Sequence, residues 1–177
     1  MPANVNIVNP FAEGQAVTIT TDLHIADDAI LRPDNADPYE ISDVVGGETS
    51  SSLEFFDMAT HENGTGTILE AKLAKSHFDV TDASFRLYIL LNGVDDIPDG
   101  TPFELFREDA WKFTGYIDFV CFKEAELGSL GLAFAHPNLP YRVAPGTLSL
   151  WGILVARAAY VPGNLEEFGI TLTTQRN

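Results

Sequence analysis

Short segments in which every second residue is apolar recur along this chain, and Gly, Pro or Asn residues separate them. A two-residue period puts alternate side chains on opposite faces of a pleated strand, so the pattern selects sheets over helices. Ser84–Leu91 sets Phe85, Leu87, Ile89 and Leu91 on one face and turns Arg86 and Tyr88 away. Thr67–Ala74 sets Leu69, Ala71 and Leu73 against Glu70 and Lys72. Leu148–Ala158 is apolar on both faces, with Leu148, Leu150, Gly152, Leu154 and Ala156 on one and Trp151, Ile153 and Val155 on the other, which predicts a central strand. Phe168–Thr174 alternates Phe168, Ile170 and Leu172 with Gly169, Thr171 and Thr173. Gln15–Thr21, Ile41–Val45 (ended by Gly46-Gly47), Leu53–Met58, Tyr116–Phe122 and Leu130–Phe134 complete a set of about eight to ten strands. This spacing is the signature of an all-β sandwich or barrel, and an antiparallel β-sandwich is the expectation, with residues 15–177 as one domain.

Three segments break the pattern. Residues 1–14 read as an extended N-terminal arm ending in Pro10 and Gly14, and Val5, Ile7, Val8 and Phe11 make it apolar enough to dock on a partner. Residues 27–40 are rich in acids and prolines and read as a loop or excursion. Phe103, Phe106, Ala110 and Phe113 recur at helical spacing behind Thr101 and Pro102, which predicts one short helix. Between Thr67–Ala74 and Ser84–Leu91 the linker Lys75–Ala83 is too short for a helical crossover, so those strands are expected to be antiparallel neighbours. Asn63-Gly64 is a hairpin signal; the formal glycosylation acceptor Asn63-Gly64-Thr65 is better read as that turn.

Charge narrows the function. The net charge is -16, and residues 1–60 hold eleven acids and one base, Arg32. Such a field repels a phosphate backbone and an anionic membrane surface, so neither nucleic acid nor membrane is an expected partner. No apolar run is long enough to span a bilayer as a helix, and the start lacks the basic and apolar regions of a signal peptide, so synthesis in a cytoplasm is expected. The single cysteine, Cys121, lies in a strand-like stretch and reads as a small buried hydrophobe.

Motifs for catalysis are missing. His24, His61, His77 and His136 form no zinc-binding spacing and read as surface or turn residues. No nucleophile elbow, Walker loop or dinucleotide fingerprint occurs; Gly128-Ser129-Leu130-Gly131 reads as a turn between strands. Asn92, Asp95, Asp96 and Asp99, and likewise Asp27, Asp28, Asp34 and Asp37, bring oxygen ligands close together, but neither set matches a calcium loop, and solvated acidic loops are the expectation. No catalytic residue, metal or cofactor is expected, and Trp111 and Trp151 are expected in the core.

Phe85-Arg86-Leu87-Tyr88-Ile89-Leu90-Leu91-Asn92, followed by a Pro/Asp loop and by Pro102–Gly115 leading into Tyr116-Ile117-Asp118-Phe119, resembles small virion proteins of tailed bacteriophages. The stretch Leu150-Trp151-Gly152-Ile153-Leu154-Val155-Ala156-Arg157-Ala158-Ala159-Tyr160 and the strand Phe168–Thr174 are similar to the same group. The resemblance spans residues 84–174, and the acidic region 22–48 has no counterpart in it. It implies a capsid decoration (cement) protein with a jelly-roll-like fold, located on the capsid exterior of the virion and made in the host cytoplasm. The implied partner is the major capsid protein, and the implied assembly is a homo-oligomer, a trimer at threefold positions. The rival expectation is a carbohydrate-binding β-sandwich or a head or tail fibre module, which needs two or three aromatics exposed in a row or cleft; Trp111, Trp151 and Tyr160 are the residues to inspect.

Overall fold

The computed structural model describes the backbone of residues 3–7 and 17–21 and, with their side chains, residues 22–48, 50–105, 110–123 and 130–177. Eleven strands form among these residues: β1 (Ala3–Ile7), β2 (Val17–Leu31), β3 (Ser52–Phe55), β4 (Thr65–Lys75), β5 (Ser84–Leu90), β6 (Phe113–Val120), β7 (Phe122–Lys123), β8 (Gly131–Ala135), β9 (Leu139–Arg142), β10 (Leu150–Ala156) and β11 (Glu167–Arg176). They make two antiparallel sheets. The larger runs β1-β2-β11-β4-β8-β7, with β9 also on β4, and the smaller runs β3-β10-β5-β6. An all-β sandwich is therefore the fold, as the alternation predicts.

The core lies between the sheets. Phe55, Phe85, Leu87, Phe119, Leu150 and Leu154 of the smaller sheet meet Ile30, Ile68, Leu73, Phe168, Ile170 and Leu172 of the larger, all buried. Phe85 meets the rings of Tyr160 and Phe168 edge to face at 5.4 and 5.3 Å, an arrangement that adds about 0.5–1.5 kcal/mol per pair beyond area burial. β10 is central, between β3 and β5, and both its faces are covered. Leu150, Leu154 and Ala156 point into the main core; Ile153 and Val155 join Val44 and Leu90 in a second cluster outside the smaller sheet, roofed by Val94, Ile97, Phe103 and Leu105.

Several local expectations are corrected. The strand expected to stop near Thr21 runs on to Leu31, because β2 pairs with β11 from Asp22↔Arg176 to Leu31↔Glu167. Its acids fit the ladder: Asp27 faces solvent, and Asp28 accepts the Ala29 and Glu54 backbone N–H groups at 2.8 and 2.7 Å. Strands β4 and β5 are not neighbours but belong to different sheets, so Ser76–Ala83 crosses the sandwich. Leu69 does not share a face with Ala71 and Leu73. The β4–β11 register shifts between Thr173↔Glu70 and Thr174↔Ile68, so Leu69 is the extra residue of a bulge and Ile68 takes the inward place. Asn63-Gly64 is a turn, with Asn63 at φ 56° and Gly64 N–H bonded to His61 C=O, but it links the two sheets and closes no hairpin.

The expected helix reduces to a single 3₁₀ turn, Ala110–Lys112. Long-range partners take the backbone upstream of it. Phe103 N–H bonds to Ser42 C=O, Val44 N–H to Thr101 C=O, and Gly100 N–H to Val44 C=O, so this stretch is extended and spreads its apolar side chains over the smaller sheet. Phe106 lies outside the described residues. Ile41–Val45 contributes isolated bridges only, Asp43↔Pro102 and Val44↔Val155. Cys121 sits at the corner where the chain leaves β6 for β7 in the other sheet; its N–H bonds to Ala83 C=O.

Candidate functional site

Two buried charged clusters pin the loops at one end of the sandwich. In the first, the fully buried Arg32 follows β2 and satisfies all five of its N–H donors. Nε donates to the Tyr39 hydroxyl; Nη1 donates to Asn35 C=O and Gly163 C=O at 3.2 and 3.5 Å; Nη2 donates to Asn35 Oδ1 and Asp99 Oδ2 at 3.1 and 2.9 Å. Asp99 Oδ1 also accepts the Tyr39 hydroxyl at 2.5 Å and Gly46 N–H at 2.9 Å.

In the second, Lys75 at the end of β4 donates to His77 C=O at 2.6 Å, to the Tyr160 hydroxyl at 2.7 Å and to Glu166 Oε1 at 2.9 Å. Both side chains of the Lys75–Glu166 pair have no exposure. Glu166 Oε2 accepts Gly163 N–H at 3.0 Å, and Glu166 C=O accepts Arg32 N–H, which joins the two clusters. Lys75 was expected in a polar linker. It continues instead the inward phase of Ala71 and Leu73, and Glu166 stands in phase with Phe168 and Ile170. That phase is the sequence signal for both: a charge at a core position of an alternating strand calls for a buried partner.

Within these clusters each charged group is bonded to protein partners. Burial, reinforced by Asp99 at Tyr39 and by Glu166 at Tyr160, pushes both phenols well above the ordinary tyrosine range; burial also raises Tyr141, which donates to Met58 C=O at 2.5 Å. Burial pushes the Cys121 thiol up to about 12, with a counteracting pull from Lys75, so it is a poor nucleophile at neutral pH. A phenol with a raised folded pKa contributes stability that is complete below its unfolded pKa of about 10 and is lost progressively as pH rises from there through the raised folded pKa. In an alkaline titration followed by phenolate absorbance, three of the five tyrosines should therefore ionise only together with loss of the sheet circular dichroism signal. Smooth ionisation of all five before unfolding would contradict these environments.

The acidic loop is anchored to the protein. Asp96, though exposed, accepts Ser51 N–H and the Ser51 hydroxyl on Oδ1 at 2.8 and 3.1 Å, and Asp99 holds Arg32, so Asp99 is not the solvated acid expected. Among the described residues no three His, Cys, Asp or Glu side chains are grouped to hold a metal ion, and no helix is long and apolar enough to cross a membrane.

Two surfaces remain as candidate interaction sites. At the end of the sandwich away from the charged clusters, β1 pairs with β2 from Ala3↔Thr21 to Ile7↔Val17, whereas β11 pairs only with Asp22–Leu31 of β2. The first five residues of β2 and β1 thus form a two-stranded ribbon about 17 Å long, past the end of β11. Val5 and Ile7 lie in β1, opposite Ile19 and Val17; Val8 and Phe11 lie outside the described residues.

On the outer face of the smaller sheet Phe113 and Tyr116 are exposed, and Trp111, in the 3₁₀ turn just before β6, is 64% exposed. Trp111 is thus not the core residue expected, Trp151 is half-buried, and Tyr160 is buried. Tyr88 on β5 lies between the rings of Phe103 (4.7 Å), Phe113 (6.0 Å) and Tyr116 (6.4 Å). Arg86 stacks 3.7 Å over the Tyr116 ring and forks onto Asp118 at 2.6 and 2.8 Å, which holds the Asp118 carboxyl below the usual carboxylate range. Neither a protein-family model nor a curated protein sequence matches the chain.

Proposed function

We propose that the chain is a non-enzymatic virion structural protein, a decoration protein that binds the outer surface of a tailed-phage head and stabilises it. In this reading its connectivity is jelly-roll-like, its partner is the major capsid protein, and copies sit as trimers at threefold positions. The β1–β2 ribbon carries the proposal. A two-stranded ribbon is marginal alone, and among the described residues β1 pairs only with β2, so its other edge offers backbone N–H and C=O groups that a strand of a neighbouring subunit would satisfy. The apolar sequence of the arm, with Val5, Ile7, Val8 and Phe11, supplies burial at that contact. A net charge of -16 keeps unassembled copies apart.

Cosedimentation with bare heads tests this. Full-length protein should pellet with the heads, while a chain lacking residues 2–14 should keep its sheet circular dichroism signal and lose occupancy by about tenfold or more. Equal occupancy by the two proteins would remove the ribbon from the contact. Failure of the full-length protein to bind heads of its own system would overturn the decoration reading. The exposed rings on the smaller sheet favour a second reading, carbohydrate binding.

A further inference from the structure

We infer that the outer face of the smaller sheet, around Tyr116 and Trp111, is a binding platform for a neutral oligosaccharide. It is independent of the capsid contact, because it uses the edge strand β6 and not the ribbon. The platform is built by a bulge. The β5–β6 register passes from Ile89↔Gly115 to Leu90↔Phe113, so Thr114 is the extra residue and Phe113 comes to the same outer face as Tyr116. Trp111 stands exposed in the 3₁₀ turn immediately before.

A pyranose has a flat C–H face and a rim of hydroxyls, so it needs exposed rings with fixed donors and acceptors beside them. Phe113, Trp111 and the face of Tyr116 turned away from Arg86 supply the rings. Arg86 and Asp118 supply the polar fork, and their mutual bidentate bond orders them before a ligand arrives, which lowers the entropic cost of binding. A protein partner would have to desolvate this ion pair, whereas hydroxyls hydrogen-bond to it. Beside the rings a cleft of about 380 Å³ opens between the Gly93–Pro98 loop and Phe103–Leu105, with Phe103 shared between cleft and ring cluster. Asp95, Asp96 and Glu104 outnumber Lys112 on its walls, a balance that turns anionic sugars away.

Tryptophan fluorescence and calorimetry with neutral hexasaccharides of glucose, mannose, galactose and N-acetylglucosamine test this, with polygalacturonate as the anionic control. At least one neutral probe should bind with a Kd of about 1 mM or tighter. Tyr116→Ala and Trp111→Ala should each weaken it about tenfold, and Phe134→Ala, an exposed ring on the larger sheet, should leave it unchanged. Circular dichroism confirms that the variants fold, and head occupancy by Tyr116→Ala should match the unaltered protein, which separates this site from the capsid contact. No neutral probe binding more tightly than about 10 mM, binding unaffected by both ring variants, or preference for polygalacturonate would overturn the inference.

Discussion

Glu166→Gln should destabilise the protein by about 3–5 kcal/mol, because it leaves the Lys75 ammonium without its countercharge at a site with no solvent access. That is a third or more of the roughly 5–15 kcal/mol that holds a typical domain folded. The stranded charge is the main cause, so Lys75→Met combined with Glu166→Leu should recover part of the loss, the rest reflecting the Gly163 N–H, Tyr160 hydroxyl and His77 C=O left without these partners. Urea unfolding of Glu166→Gln and of the double variant measures this as shifts in midpoint at constant slope. A Glu166→Gln midpoint within experimental error of the unaltered protein would show that the pair is not buried as described.

Asp99→Ala should have an effect of similar size, about 3–5 kcal/mol, by a wider route. It strips a partner from the Arg32 guanidinium, the Tyr39 hydroxyl and Gly46 N–H together. All three lie where loops from distant parts of the chain meet. Amide exchange should therefore accelerate first in residues 39–47 and 94–105, while the β4–β11 ladder keeps its protection until global unfolding. Arg32→Lys should not rescue the site, since an ammonium has three donors and Arg32 uses five. Uniform acceleration across the whole chain would contradict an anchor acting on these loops.

The alternation in β5, β10 and β11 was sufficient to place their buried faces, because each strand packs against a continuous core and its period is set locally. Sheet membership was not legible. β4 and β5 are consecutive, yet what separates them into two sheets is which other strands compete for their edges, a long-range property. Leu69 failed for another reason: a bulge inserts one residue and inverts the phase beyond it, and nothing in Ile68-Leu69-Glu70 marks the insertion. The aromatic spacing behind Thr101 looked helical, yet Phe103 lies with Leu105 over a second apolar cluster and Phe113 opens β6, so the spacing joins residues of different elements. The charged clusters were partly legible, since Lys75 and Glu166 each stand in phase with core residues. The platform residues Arg86 and Tyr88 were correctly turned away from the core, but their meeting with Tyr116 and Asp118 depends on β5–β6 pairing.

The decoration reading is tested most directly by the heat stability of bare heads with and without saturating protein. A ligand that engages the assembled lattice, and finds only part of its site on released subunits, stabilises the lattice by mass action, by about 2.7 kcal/mol per site at a hundredfold excess over its Kd. Decorated heads should therefore release their subunits at a higher temperature than bare heads, with the increase growing as protein is added. Fully occupied heads that come apart at the same temperature as bare ones would contradict it.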